Sequence, residues 1–216
     1  MSVLSCKEVK RRLGLSPKDP RSIVITPLLG GEIAFDVDSV DLRLGCHFLL
    51  PRAWQQPFFC PDDTSSTSLH AGAHVPLGKY LVVPAHQTVL GATLEFIKMP
   101  FDVSGEILTK SSVARTFVLV ETAPWIHPGY RGCLTLEIAN VSNTPVLLYP
   151  GRFIGQLIFM EVSPPPENQQ LKSSYLGPVY PEPPKFKGPE EDLREIGVTD
   201  TWIIPHPEKA NKKTVP

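Results

Sequence analysis

The chain has 216 residues, of which 42% are hydrophobic and 20% charged, and its net charge is -1 at pH 7. This length suits one domain with an extension, and this charge argues against a general nucleic-acid binder or membrane-surface binder. No apolar run approaches the roughly 18 residues that a membrane-spanning helix requires, and the first residues lack the apolar core of a signal peptide. The four cysteines have no C-x-x-C spacing, so we interpret them as reduced thiols of a cytoplasmic protein.

A short helix is predicted near the N-terminus, over residues 5–13. Ser5 and Glu8 have the spacing of a capping box, in which the hydroxyl accepts from one free helical N–H and the carboxylate reaches back to another. Gly14 follows at the other end, where a helix commonly needs a residue in the left-handed conformation.

Most of the following sequence, up to residue 162, has the pattern of short β-strands separated by turn residues. In CLTLEIA (133–139), the leucines and the isoleucine share one face of a strand, and Thr135 and Glu137 share the other. Many short strands with little helix between them predict a mainly β fold, either a sandwich, a jelly roll or a distorted barrel. The other predicted strands are SIVIT, SVDLRL, KYLVV, HQTVLGATLEFIKM, FVLVE, PVLLY and RFIGQLIFMEV.

The tail, residues 163–216, differs in composition because it contains 11 of the 24 prolines. Proline removes hydrogen-bond donors and disfavours regular strand ladders. We therefore expect a β domain over residues 1–162 and a Pro-rich extension that packs on the core or on a neighbouring subunit. The apolar patch at 201–204 is a predicted docking point of this extension.

Several motifs, taken together and in order, resemble the dCTP deaminase/dUTPase superfamily, and dCTP deaminases in particular. The resemblance implies a distorted β-barrel or jelly-roll protomer, a homotrimer, and nucleotide sites shared between adjacent subunits. The motifs are SVDLRLG at 39–45, TLEFIKMP at 93–100, KSSVAR at 110–115, ETAPWIHPGYRGCLTLEIAN at 121–140 and YPGRFIGQLIF at 149–159.

The resemblance implies metal-independent deamination of dCTP to dUTP and ammonia, with Glu137 as general base and proton shuttle. Ser111 and the backbone carbonyl of Ala123 would hold the attacking water, and Arg115 would maintain the pocket geometry and its charge. The structural alternatives are an outward-facing strand carboxylate, a turn hydroxyl and a strand-end cation.

The same resemblance gives the nucleotide-binding candidates. Serine hydroxyls and cations can orient a triphosphate, and Mg²⁺ would bind largely through the phosphate oxygens. Tyr130 would stack below the sugar and disfavour a ribose, with core aromatic packing as the alternative. Arg152 and Gln156 can equally be a surface cation and a sheet amide. The phosphate-side candidates are Lys110, Ser112, Arg152 and Gln156, and the nucleotide-binding set also includes His127 and Tyr175.

No zinc site is predicted. Zinc nucleobase deaminases carry H-x-E and P-C-x-x-C patterns, and this sequence contains neither. His70 and His74 have i,i+4 spacing, but their HAGAH context lacks the metalloprotease glutamate, and we interpret the segment as a loop.

Two departures from the family pattern keep other functions open. His127 occupies the usual aspartate position of I-D-P-G. A histidine cannot reproduce a carboxylate acceptor at neutral pH, which argues against a dUTP diphosphatase and against a bifunctional deaminase-diphosphatase. The tail segment 175–183 lacks the lysine and glutamine of the family's closing segment, and Glu182 would repel phosphate. The alternatives are a non-enzymatic nucleotide-binding or regulatory protein and, less favoured, a dUTP diphosphatase. The fold alone does not choose between them.

Overall fold

The computed structural model describes residues 2–52, 70–121, 125–164 and 177–185. Two α-helices, one 3-10 turn and thirteen strands are present in these ranges. The helices are α1 (Cys6–Leu13) and the single-turn α2 (Ser111–Ala114), and the 3-10 turn is Gly31–Ala34. The strands are β1 (Ser2–Val3), β2 (Val24–Thr26), β3 (Ser39–Arg43), β4 (His47–Pro51), β5 (His70–His74), β6 (Leu81–Val83), β7 (Thr88–Lys98), β8 (Val103–Thr109), β9 (Val118–Glu121), β10 (Trp125–Ile126), β11 (Arg131–Asn140), β12 (Val146–Leu148) and β13 (Phe153–Glu161).

Helix α1 begins and ends close to the predicted residues. The Ser5 Oγ accepts from the Glu8 N–H at 3.4 Å, as a capping hydroxyl does. The Glu8 carboxylate pairs with Arg11 and Arg12. The prediction of a left-handed conformation at Gly14 was wrong. Its φ is -77°, and its N–H donates to the Lys10 carbonyl, as in a continuing helix.

Two antiparallel sheets contain most of the strands. In the first sheet, β13 pairs with β8 along one edge and with β3 and β1 along the other, and β10 pairs with β8. In the second sheet, β7 pairs with β11 along one edge and with β2 and β4 along the other. Strand β5 extends this sheet beyond β4, and β9 extends it beyond β11. Strands β6 and β12 form a separate two-stranded antiparallel sheet.

The core contains apolar side chains from both sheets in one cluster. Leu42 and Leu157 of the first sheet and Leu136 and Ile138 of the second are all 0% exposed. The predicted mainly β fold is therefore confirmed. Over the described ranges neither sheet closes on itself, so the architecture is the sandwich or jelly-roll type rather than a closed barrel.

The HAGAH segment is a strand, and its interpretation as a loop was wrong. His70–His74 forms β5 and pairs with β4 over its full length, from His47↔His74 to Pro51↔His70. Alanine and glycine give such a segment little intrinsic strand preference. The partner strand therefore supplies the ordering that the local sequence does not predict.

The connection from β8 to β9 carries the polar KSSVAR sequence between the two sheets. It runs through α2, and the hydroxyl of Thr109 ties its two ends together. The Thr109 Oγ1 accepts from the Val120 N–H at 2.8 Å and donates to the Val120 carbonyl at 3.1 Å. This closure fixes the residues between the two strands as one compact turn.

Residues 177–185 lie against β11 of the same chain. The Gly177 N–H donates to the Arg131 carbonyl, and the Cys133 N–H donates to the Pro178 carbonyl, both at 2.7 Å. Pro178 leaves no room for a side chain at residue 132, which is glycine with φ 144°.

The predicted docking point at 201–204 lies outside the described residues. No helix in the described ranges is long and apolar enough to cross a membrane.

Candidate active site

Glu137 lies in the middle of β11, on the face turned away from the core. Its neighbours Leu136 and Ile138 are both 0% exposed, whereas Glu137 is half-buried. Its Cα is opposite Leu90 of β7 and opposite Glu121 of β9. A strand with partners on both edges holds this carboxylate in a rigid position, which catalytic geometry requires.

The described part of the tail lies beside this carboxylate. Thr135 precedes Glu137 by two residues and therefore shares its face of the strand. The Thr135 Oγ1 accepts from the Glu182 N–H at 3.2 Å. The Glu182 carboxylate pairs with Lys185 at 2.9 Å. The segment thus approaches Glu137 through its backbone, while the Glu182 charge is directed to a lysine.

Two histidines and a tyrosine meet at the side of the second sheet that β4 and β5 form. The ring centroids of His47 and His74 are 4.7 Å apart, and the Tyr180 ring packs edge-on against His47 at 4.4 Å. In the described ranges, no group of three or more His, Cys, Asp or Glu residues is placed to hold a metal ion. The Tyr180 contact is a second attachment of the tail to the sheet.

Ser111 and Ser112 lie on the turn α2, Arg115 follows it directly, and all three residues are exposed. The Lys110 carbonyl accepts from the amides of Val113 and Ala114 at 2.8 and 2.9 Å, so the turn starts on that residue. This turn packs against β9, the strand that pairs with β11 opposite Glu137. Ala123, the other predicted water ligand, lies outside the described residues.

Three of the phosphate-side candidates are grouped at one end of the first sheet. The Lys110 ammonium forms an ion pair with the Asp41 carboxylate, and Gln156 is opposite Asp41 on the neighbouring strand. Arg152 is exposed in the turn that precedes β13, with its N–H donating to the Tyr149 carbonyl at 3.2 Å. Tyr175 lies outside the described residues.

His127 and Tyr130 are the ends of a tight turn. Pro128 and Gly129 occupy its centre, Gly129 has φ 80°, and the Tyr130 N–H donates to the His127 carbonyl at 3.1 Å, as in a type II turn. His127 is exposed. The Tyr130 ring packs against the core, its hydroxyl donates to the Cys133 carbonyl at 2.9 Å, and burial raises the Tyr130 pKa. These contacts are those of the core-packing alternative.

Glu95 is a buried carboxyl group that was not among the site residues predicted from the sequence. It is 2% exposed, and its Oε2 accepts from the Arg43 N–H at 2.9 Å. Burial raises the pKa of Glu95 to about 7, against the lowering effect of that hydrogen bond. The period-2 alternation with buried Thr93 and Ile97 is the signal that could have indicated it.

Comparison with known proteins gives consistent results. A family described as dCTP deaminase-like matches residues 3–162. The dCTP deaminase, dUMP-forming, of Methanobrevibacter smithii is 32% identical over 193 residues, which is 87% of this chain and 96% of that protein. The dCTP deaminase of Natronomonas pharaonis is 33% identical over 196 residues, with 88% and 97% covered.

A solved structure is also similar in fold. The crystal structure of 2′-deoxycytidine 5′-triphosphate deaminase from Agrobacterium tumefaciens has a TM-score of 0.55 and 21% sequence identity. The match covers 73% of this chain and 47% of that chain, so this chain spans about half of the solved protein. The family match spans most of the chain, and two relatives above 30% identity match it over nearly their full lengths. The predicted dCTP deaminase-like hydrolase is therefore confirmed: the chain belongs to the dCTP deaminase-like family.

Proposed function

We propose that this protein hydrolyses the 4-amino group of dCTP, producing dUTP and ammonia, as a step of pyrimidine deoxynucleotide metabolism. The observation that carries the proposal is the position of Glu137. It is a half-buried carboxylate held on the outer face of a doubly paired strand. The names of the two relatives, both dCTP deaminases, support dCTP as the substrate.

The proposed reaction needs one base that passes protons between three atoms. Glu137 takes a proton from water as the water oxygen bonds to C4 of the cytosine. It delivers this proton to N3. It then takes the second proton from the new C4 hydroxyl and passes it to the 4-amino nitrogen, so that the C4–N4 bond breaks, the C4 carbonyl forms and ammonia leaves. General acid–base catalysis of this kind contributes about 10² to 10⁴ in rate. The scheme uses no metal at the reacting carbon, and Mg²⁺ accompanies the triphosphate.

The turn at α2 supplies the remaining groups of the proposed site. In this proposal Ser111 holds the attacking water, and Arg115 maintains the charge and geometry around it. Both residues are exposed, so they are accessible to a ligand. The proposal includes a homotrimer in which these groups and Glu137 form sites between adjacent subunits, and a cytoplasmic location. Ser112, Arg152 and Gln156 remain proposed phosphate-side residues, and Tyr130 a proposed neighbour of the sugar.

A second candidate product is dUMP. The M. smithii relative is named dUMP-forming, and formation of dUMP requires pyrophosphate release in addition to deamination. Against this candidate, His127 stands at the exposed start of the turn where the family pattern has an aspartate, and an imidazole lacks the two acceptor oxygens of a carboxylate. We therefore favour dUTP as the product.

The test is to incubate the purified protein with dCTP and Mg²⁺ and to measure ammonia, dUTP, dUMP and pyrophosphate over time. The proposal predicts equal amounts of ammonia and dUTP without pyrophosphate. Equal amounts of ammonia, dUMP and pyrophosphate establish the second candidate. Binding of dCTP without ammonia release contradicts both and supports a nucleotide-binding protein.

A further inference from the structure

The ion pair between Lys110 and Asp41 joins the start of the KSSVAR turn to β3. Both side chains are well shielded, with 29% of Lys110 and 10% of Asp41 exposed. The Lys110 backbone is also held, because its N–H donates to the Ile154 carbonyl at 3.1 Å. Lys110 is thus attached to two strands of the first sheet, by its side chain to β3 and by its backbone to β13.

A second cation shares this environment but has other partners. The Arg43 guanidinium donates to the Gly151 carbonyl at 2.7 Å and to the Leu29 carbonyl at 3.2 Å. The Phe153 ring lies near both cations, with its centroid 3.9 Å from Arg43 Cζ and 5.7 Å from Lys110 Nζ. An aromatic face and carbonyl oxygens therefore stabilise Arg43, while the Asp41 carboxylate pairs with Lys110.

This arrangement opposes a phosphate contact by Lys110. An ammonium that exchanged Asp41 for a phosphate would leave behind a carboxylate that is only 10% exposed. Removing one partner of a shielded ion pair leaves the other charge uncompensated, which is strongly unfavourable. If the pair stays intact, its net charge is zero, and it adds little to the attraction of a triphosphate.

We infer that Asp41 is a positioning residue. It holds Lys110, and through Lys110 it holds the turn that carries Ser111 and Arg115. Lys110 is therefore an anchor of the turn and not a phosphate ligand. The α2 turn begins on the Lys110 carbonyl, which accepts from the Val113 and Ala114 amides. Fixing Lys110 therefore fixes the origin of the turn. This inference rests on the proposed function for its effect on turnover, but not for its effect on the turn itself.

The kinetic test uses Asp41→Asn, Lys110→Met and Lys110→Arg, with dCTP and dCMP as ligands of different phosphate number. Both Asp41→Asn and Lys110→Met should lose about tenfold to a hundredfold in kcat, because the catalytic groups on the turn are then misplaced. In the double variant Asp41→Asn/Lys110→Met, the ratio of the dCTP and dCMP Kd values should stay within about threefold of the unmodified protein, because this variant, like the intact pair, has no net charge at these two positions. Lys110→Arg should restore most of kcat, since arginine can also pair with Asp41.

A phosphate role for Lys110 gives the opposite pattern. The double variant Asp41→Asn/Lys110→Met then weakens dCTP by more than about tenfold relative to dCMP, because a direct contact with phosphate is lost without a change in net charge. That result overturns the inference. Lys10→Met is the matched control, because it removes another lysine–carboxylate pair, with Glu32, on the exposed side of α1. Its kcat should equal that of the unmodified protein.

Hydrogen exchange tests the inference without any substrate. In Asp41→Asn, the Val113 and Ala114 amides should exchange at least about tenfold faster than in the unmodified protein, because the start of the turn is released. Unchanged exchange overturns the inference. A protein that releases no ammonia from dCTP contradicts the proposed function alone, and the exchange measurement still decides the role of Asp41.

Discussion

The Glu182 N–H donates a hydrogen bond of 3.2 Å to the Oγ1 of Thr135, two residues before Glu137 on the same face of β11. Glu182, which is 47 positions after Thr135 in the sequence, thus binds the strand two residues before the candidate catalytic carboxylate. The bond uses the backbone of Glu182, and its side chain pairs with Lys185. The expected repulsion between Glu182 and phosphate is therefore partly offset by a neighbouring cation.

Replacing the Thr135 hydroxyl should loosen this part of the tail. Thr135→Val removes the acceptor of the Glu182 N–H, and loss of one such bond costs about 1 kcal/mol, or about fivefold in local opening. Hydrogen exchange of the amides in 177–185 measures the effect. Thr135→Ser keeps the hydroxyl and is the control. If Thr135→Val exchanges like the serine variant, the hydrogen bond does not hold the segment.

Glu95 should make the free energy of unfolding depend on pH. Its folded pKa is about 7 and its usual value is 4.5, so the folded state binds the proton more tightly than the unfolded state. The resulting stabilisation is complete below pH 4.5 and is lost as the pH rises through 7. Between pH 5.5 and pH 8 the loss is about 2 kcal/mol.

Urea unfolding at these two pH values, for the unmodified protein and Glu95→Gln, isolates this contribution from other titrating groups. Glutamine does not titrate, so the variant should show a loss smaller by about 2 kcal/mol over the same interval. The same pH dependence in both proteins would show that Glu95 does not titrate in this range.

Phe117 should be a site where glycine stabilises the fold. Its φ is 61°, a left-handed conformation that costs a bulky residue about 1 kcal/mol, and its side chain is 62% exposed. Phe117→Gly relieves this strain with little loss of buried area, so the free energy of unfolding should rise by about 0.5–1 kcal/mol. Chemical denaturation measures the change.

His86 provides the matched comparison, with φ 59° on an exposed turn. Its ring hydrogen-bonds to the Asn143 side chain at 3.0 Å, and His86→Gly loses that bond while it gains the same backbone relief. The gain should therefore be smaller than for Phe117→Gly. A destabilised Phe117→Gly variant would mean that the aromatic ring has stabilising contacts that exceed the backbone strain.

Local sequence signals predicted the features that depend on near neighbours. The Ser5 hydroxyl marks the start of α1 because a helix leaves its first N–H groups without intrahelical partners. Alternation in 133–139 predicted which side chains of β11 face the core, since the side-chain direction in a strand has a period of two. Glu137 could thus be placed on the outer face from sequence alone.

Features that depend on distant partners could not be predicted in this way. Asp41 and Lys110 are 69 residues apart, and their pairing requires β3 and β8 to flank β13. His70–His74 becomes a strand because β4 offers a full set of backbone partners. Alternation in β7 could have indicated that Glu95 faces inward, but its hydrogen bond from the Arg43 N–H joins residues 52 positions apart, which a short sequence window does not contain.

The most direct test of the catalytic role of Glu137 compares ammonia release from dCTP by the unmodified protein and by Glu137→Gln. Glu106→Gln is the control, because it neutralises another half-buried strand carboxylate in the other sheet. We expect Glu137→Gln to keep the unmodified protein's unfolding midpoint but to release no detectable ammonia, while Glu106→Gln stays active. Near-normal ammonia release by Glu137→Gln would contradict the proposed role of this carboxylate.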